Sequence, residues 1–264
     1  MNRKVLMLAA LGAIFTLAAC AQPASTPTTP ATSPPTTSPT PTPATMALGG
    51  KLYDNWIKTA QVETPKENSP LWATQTTNKR TGTDTWRCKE CHGWDYKGKD
   101  GAYSKGSHFT GFPGVYNAAT TKSLAELTAV LKGSTNANHN FSTYLKEEQL
   151  SALASFLKEG AVIDETKYID YATKKPKSAD TARGKQLYDS TCAVCHGADG
   201  KTLNFGSAED PEYVGTIALD IPWEFLHKVR FGQPGAAMPS GVEQQKSIQD
   251  AVDILSHAQT FAEK

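Results

Sequence analysis

"CKECHG" at 88–93 and "CAVCHG" at 192–197 share the frame Cys-x-x-Cys-His-Gly, and each sits inside a longer repeat. "GKLYDNW" (50–56) precedes the first copy and "GKQLYDST" (184–191) the second, in register to within one residue. "LTAVLKG" (127–133) follows the first and "LHKVRFG" (226–232) the second. Next come "GSTNANHNF" (133–141) and "GQPGAAMPS" (232–240), in which His139 and Met238 stand at the same offset from the leading glycine. Self-similarity on this scale predicts two copies of one structural unit.

The units read as helical. Leu150, Leu153, Ala154 and Leu157 fall at i, i+3, i+4 and i+7, as do Ile248, Ala251, Val252 and Leu255, the spacing of an amphipathic helix. Ser123-Leu124-Ala125-Glu126 has the capping-box pattern, and Pro222 suits the first turn of the corresponding helix in the second copy. No run of strand length alternates apolar and polar residues. The expected fold class is all-α: one helical domain over 46–163 and a second over 179–264, joined by a charged linker over 164–178. The first domain carries an insertion over 57–86, expected to be a loop packed over it.

The beginning of the chain has a different character. Asn2-Arg3-Lys4 followed by the apolar run Val5 to Ala18 reads as a signal peptide, 1–19, too short for a dependable membrane span. Leu17-Ala18-Ala19-Cys20 resembles the lipobox of bacterial lipoproteins, which implies cleavage before Cys20 and a diacylglycerol on its thiol. The other reading is an ordinary secretory signal cut after Ala19, which leaves a free thiol at the new terminus. Residues 23–45 are Pro, Thr, Ser and Ala up to Thr45. With so little to bury, the segment 20–45 is expected to be a disordered tether, reaching about 70 Å at roughly 3.1 Å per residue. The expected location is extracytoplasmic, periplasmic or at the cell surface, anchored to a membrane by lipid. The formal net charge is +1, and no basic stripe is present, so nucleic acid is not an expected partner.

Cys-x-x-Cys-His is the pattern of c-type haem attachment. Thiols three apart on one helical turn face the same side, where they can form thioethers to the two vinyl groups of a haem. The following histidine then places an imidazole nitrogen under the iron, with its other nitrogen donating to a carbonyl. Cys88, Cys91, Cys192 and Cys195 are the attachment residues, and His92 and His196 the first iron ligands. A four-cysteine zinc site fits poorly, because the pairs lie far apart and each is trailed by His-Gly. A thioredoxin-like pair would need a strand leading into its helix.

With these motifs in their order, each half resembles a class I cytochrome c domain. The order is a Gly-and-aromatic helix, Cys-x-x-Cys-His, a middle helix, a ligand loop and a closing amphipathic helix. The resemblance covers 46–264 apart from the insertion and linker, and implies two covalently bound haem c groups, each with one iron. It also implies a methionine as sixth ligand. In the second half "AAMPS" supplies Met238. The first half departs from the pattern, since no methionine stands at that place. His139 holds the equivalent position and would give two imidazoles on one iron; His108, in "KGSHFTG", is the competing candidate. His227 and His257 read as surface histidines on helices.

The expected function is single-electron transfer between extracytoplasmic redox partner proteins, with no catalytic residue. The enzyme alternative is a di-haem oxidoreductase of the cytochrome c peroxidase kind, which needs a vacant or displaceable sixth position. A thiosulfate dehydrogenase would need a distal cysteine, and none remains. A third reading is the cytochrome subunit of a larger membrane oxidoreductase complex.

Overall fold

Two helix crossings of the same design organise residues 40–263, the part of the chain that the computed structural model describes. The first half contains α1 (Pro43–Ala60), α2 (Cys88–His92), α3 (Tyr116–Thr121), α4 (Leu124–Leu131) and α5 (Glu147–Lys158). The second contains α6 (Thr181–Thr191), α7 (Ala193–His196), α8 (Val214–Asp220), α9 (Pro222–Phe231) and α10 (Ile248–Ala258). The molecule is mostly helical, with little strand. The signal peptide 1–19, Cys20 and the tether as far as residue 39 lie outside the described residues. Among the described residues no helix is long and apolar enough to cross a membrane.

Local chemistry explains the helix limits. Thr42 caps α1 through a 3.2 Å bond from the Thr45 amide, with Pro43 in the first turn, so residues 43–45 of the expected tether are helical. Asn55 interrupts α1 with φ −152° and ψ 88°, and its side chain accepts from the Lys58 amide at 3.1 Å to restart the helix. Ser123 and Glu126 form the reciprocal capping box of α4, and Pro222 opens α9.

In the first half α1 crosses α5; in the second α6 crosses α10. Glycine permits both crossings. A methyl group on Gly49 would overlap Phe156 and the Ala152 carbonyl, and one on Gly184 would overlap the Asp253 carbonyl. The structural counterpart of Gly184 is therefore Gly49, one residue before the glycine of the sequence alignment.

The linker 164–178 is more than a connector. Glu165–Lys167 forms a 3₁₀ turn, and Ile169–Asp170 pairs antiparallel with Lys175–Pro176, a short hairpin that the strand reading missed. Ile169 is buried in the core of the second half. Glu165 is buried with neither carboxyl oxygen hydrogen-bonded. Burial, then the nearby Asp95 charge, hold its carboxyl well above the usual range. The insertion contains two 3₁₀ turns, Pro70–Thr74 and Gly82–Trp86. It is pinned where the Trp86 indole donates to the Glu67 carbonyl at 2.8 Å and Trp56 donates to the Trp86 carbonyl at 2.8 Å.

The halves meet through α9. Leu226 lies in the core of the second half, whereas Phe231 is buried in the core of the first, with Trp56, Leu153 and Phe156. His227 is not a surface residue: it is fully buried. Its Nε2 donates to the Gly50 carbonyl at 3.0 Å, and its Nδ1 accepts from the Tyr96 hydroxyl at 2.9 Å. A carbonyl can only accept, which fixes the tautomer. Lys228 of α9 and Arg87 both pair with buried Asp54 of α1. Burial alone would raise the Asp54 carboxyl, but these two cations pull it below its ordinary range. His257 is buried as well, packed on Tyr188 with ring centroids 5.5 Å apart. Helical position gave no sign of either burial, because the covering surfaces come from distant parts of the chain.

Burial lowers the His227 pKa to about 3, below the value near 6.5 of an unfolded chain. Between those two pH values the unfolded chain binds a proton that the folded protein excludes, so stability falls as pH drops through that window. His227→Phe, which removes the bonds to the Tyr96 hydroxyl and the Gly50 carbonyl, is expected to destabilise by about 1–3 kcal/mol at pH 7. In guanidinium unfolding the gap from the unmodified protein should narrow as pH is lowered to 4.

Candidate haem sites

In both halves a tyrosine from the opening helix secures the turn after Cys-x-x-Cys-His. The Tyr53 hydroxyl donates to the Gly93 carbonyl at 2.6 Å, and the Tyr188 hydroxyl donates to the Gly197 carbonyl at 2.9 Å. Each histidine carbonyl then accepts from a later amide, Gly98 at 2.8 Å from His92 and Thr202 at 3.0 Å from His196. Glycines with φ of 77° and 80° end the two short helices. The repeat is therefore one of hydrogen bonds as well as letters.

The cysteines of each pair stand one turn apart on α2, and at the start of α7 and within it. Burial raises the Cys88 and Cys91 thiols to about 12 and the Cys192 thiol to about 11. All three are protonated at neutral pH. Cys195 is exposed.

The first site brings two of its predicted residues together, ring edge to ring face. The His92 and His139 rings lie 6.2 Å apart, centroid to centroid, at 73°. His92 donates from Nδ1 to the Pro113 carbonyl at 2.7 Å, and His139 donates from Nδ1 to the Val130 carbonyl at 3.2 Å. Both rings therefore keep the lone pair on Nε2, the tautomer suited to binding a metal. Burial, and then the His139 ring, lower the His92 pKa to about 4; burial lowers that of His139. Both imidazoles are neutral at neutral pH. Metal–imidazole bonds are about 2 Å long, so two rings sharing one ion end-on hold their centroids about 6 Å apart. The donor set fits a haem held by two thiols and two imidazoles.

His108 lies elsewhere. It stacks on Tyr103 with centroids 4.6 Å apart, meets Arg80 at 3.1 Å and lies 4.0 Å from Glu90.

At the second site the Phe205 ring stands 5.8 Å from the His196 ring, edge-on, and the His196 Nδ1 has no hydrogen-bond partner. Burial lowers the His196 pKa. Leu203 and Phe205 are apolar yet 44 % and 47 % exposed, a greasy shelf beside the imidazole that suits a porphyrin face. Met238 is half-buried in the segment between α9 and α10. The loops bearing His139 and Met238 both start at a glycine of positive φ, Gly133 at 83° and Gly232 at 84°. Both fold back on that glycine, through Asn140 in one and the Met238 carbonyl in the other.

Residues 179–255 match the family described as cytochrome C oxidase, cbb3-type, subunit III. No solved structure matches the chain. The matched segment is a c-type cytochrome domain, which implies a covalently bound haem c and an electron-transfer role.

Missed in the sequence were Tyr53 and Tyr188 as anchors of the two turns; their signal was the repeated Gly-x-x-x-Tyr of the opening helices. Tyr53→Phe removes the hydroxyl's bond to the Gly93 carbonyl, which keeps only the longer bond from the Tyr96 amide at 3.3 Å, with an expected cost of about 1 kcal/mol in denaturant unfolding. Tyr188→Phe, at a less buried site, should cost less.

Proposed function

We propose that the protein carries two haem c groups, one in each half, and passes single electrons between extracytoplasmic redox proteins while tethered to a membrane through lipidated Cys20. The observation that carries the two-haem reading is the neighbouring pair His92 and His139, rings 6.2 Å apart, in the half outside the family match.

In this reading Cys88 and Cys91 attach the first haem and Cys192 and Cys195 the second. His92 and His139 would hold the first iron. His196 and Met238 hold the second. Each bound haem supplies a one-electron iron couple. The protein's own part is to keep the ligands neutral, aim their Nε2 atoms and exclude water. The Pro113 and Val130 carbonyls do the aiming at the first site. With two protein ligands to each iron, no position would be left for a substrate, which favours a carrier over a peroxidase-like enzyme.

Methionine ligation raises a haem's potential, so the first haem should have the lower midpoint. The family match leaves a second role open, the cytochrome subunit of a larger membrane oxidoreductase; co-purification from membranes distinguishes it from a free carrier.

Redox titration with EPR tests the assignments. Two low-spin haems with separate midpoints are expected. His139→Ala should convert only the lower-potential haem to a high-spin, cyanide-binding form, and Met238→His should lower only the higher midpoint. A His139→Ala protein whose two low-spin signals are unchanged would refute the ligand assignment.

A further inference from the structure

The loop that bears Met238 is fastened at both ends to the last turns of α9. At its start the Gly232 amide donates to the Lys228 carbonyl at 2.8 Å. At its end the Gly241 amide donates to the Val229 carbonyl at 3.0 Å, and the Ser240 hydroxyl and Val242 amide each donate to the Arg230 carbonyl at 3.0 Å. That part of α9 is itself lodged in the first half. A methyl group on Gly50 of α1 would overlap the Phe231 ring. Val242 packs on the first core, and the Arg230 guanidinium donates to the Ala161 carbonyl at 2.8 Å.

The loop touches α1 directly as well. A methyl group on Gly232 would overlap both the Met238 carbonyl and the end of the Lys51 side chain, and one on Gly235 would reach the Cβ of Lys58. Between these two lysines α1 is bent at Asn55, where the Thr59 hydroxyl bridges the Lys51 carbonyl at 3.0 Å and the Asn55 carbonyl at 2.8 Å. Gly235, Ala236 and Ala237 are exposed, so the loop buries little of its own and depends on what it rests on. The His139 loop is seated differently. A methyl group on its opening Gly133 would meet Asn140 and Asn136 of the same loop. Lys185, the counterpart of Lys51 in the repeat, turns to Asp189 of its own helix at 2.6 Å.

We infer that α1 of the first half is the seat of the second half's methionine loop. Gly50, by receiving Phe231, and Lys51, by packing its stem on Gly232, position Met238 for the second iron. Both act through the loop, and so are positioning residues. The inference rests on the two-haem reading with Met238 as a ligand. It couples the halves, because loosening α1 loosens a ligand that belongs to the other half.

The full-length protein, with haem content checked by intact mass, is oxidised and mixed with cyanide, which takes the sixth position of a ferric haem once methionine leaves it. The unmodified protein should show a methionine-to-iron charge-transfer band. Lys51→Ala, which removes about two methylenes of contact with the loop, should speed cyanide binding at the methionine-ligated haem about tenfold. Lys51→Arg, which keeps a stem, and Lys185→Ala should leave that rate unchanged. Gly50→Ala should weaken the band and lower the midpoint of the same haem, while the low-spin signal of the first haem stays. If Gly50→Ala fails to fold, the Lys51 variants decide alone. A band and cyanide rate unchanged in Lys51→Ala, or changes shared equally by both haems, overturn the seat and leave the two-haem reading intact. An unmodified protein that lacks the band overturns Met238 ligation itself.

Discussion

Helix α9 belongs to both halves at once, and the arrangement of the two sites depends on it. One part of it, with Leu226, packs in the core of the second half; its end, Phe231, packs in the core of the first. Between these, His227 and Lys228 reach Gly50, Tyr96 and Asp54 of the first half. Fully burying a residue such as Phe231 is worth about 2–3 kcal/mol. The hydrogen bonds of His227 add direction that apolar contact alone would lack. Two motifs far apart in sequence are thereby held in one body.

The same contact makes the halves unequal. Tyr53, whose hydroxyl anchors the turn behind His92, packs against His227 of the second half with centroids 5.8 Å apart. Tyr188, in the equivalent role, packs against His257 and Phe261 of its own half. The first motif is thus braced from outside its own repeat, and its helix is covered by Arg80, Trp94 and α9. The second motif rests on its own helices and stays open. One motif is therefore covered and the other exposed.

Much of this was legible in the residues. The capping box at Ser123, the proline at 222 and the apolar stripes of α5 and α10 are local signals, and each marks a helix. The equal offsets of His139 and Met238 pointed to the residue whose ring lies 6.2 Å from that of His92. What the sequence left hidden is long-range. His227 and His257 look like any helical histidine until the elements that cover them are known. The linker hairpin is too short to show an alternating pattern. Glu165, in a charged run, gave no hint that the carboxyl would be buried. The insertion's route was likewise hidden, because its anchors are indole-to-carbonyl bonds rather than a periodic face.

The central claim, two haems on one chain, is tested most directly by the intact mass of the mature protein, measured beside a Cys88→Ala/Cys91→Ala variant. The account predicts an unmodified protein heavier than its polypeptide by two haem groups and a variant heavier by one. A mature protein carrying one haem, unchanged in number by the loss of Cys88 and Cys91, would contradict it.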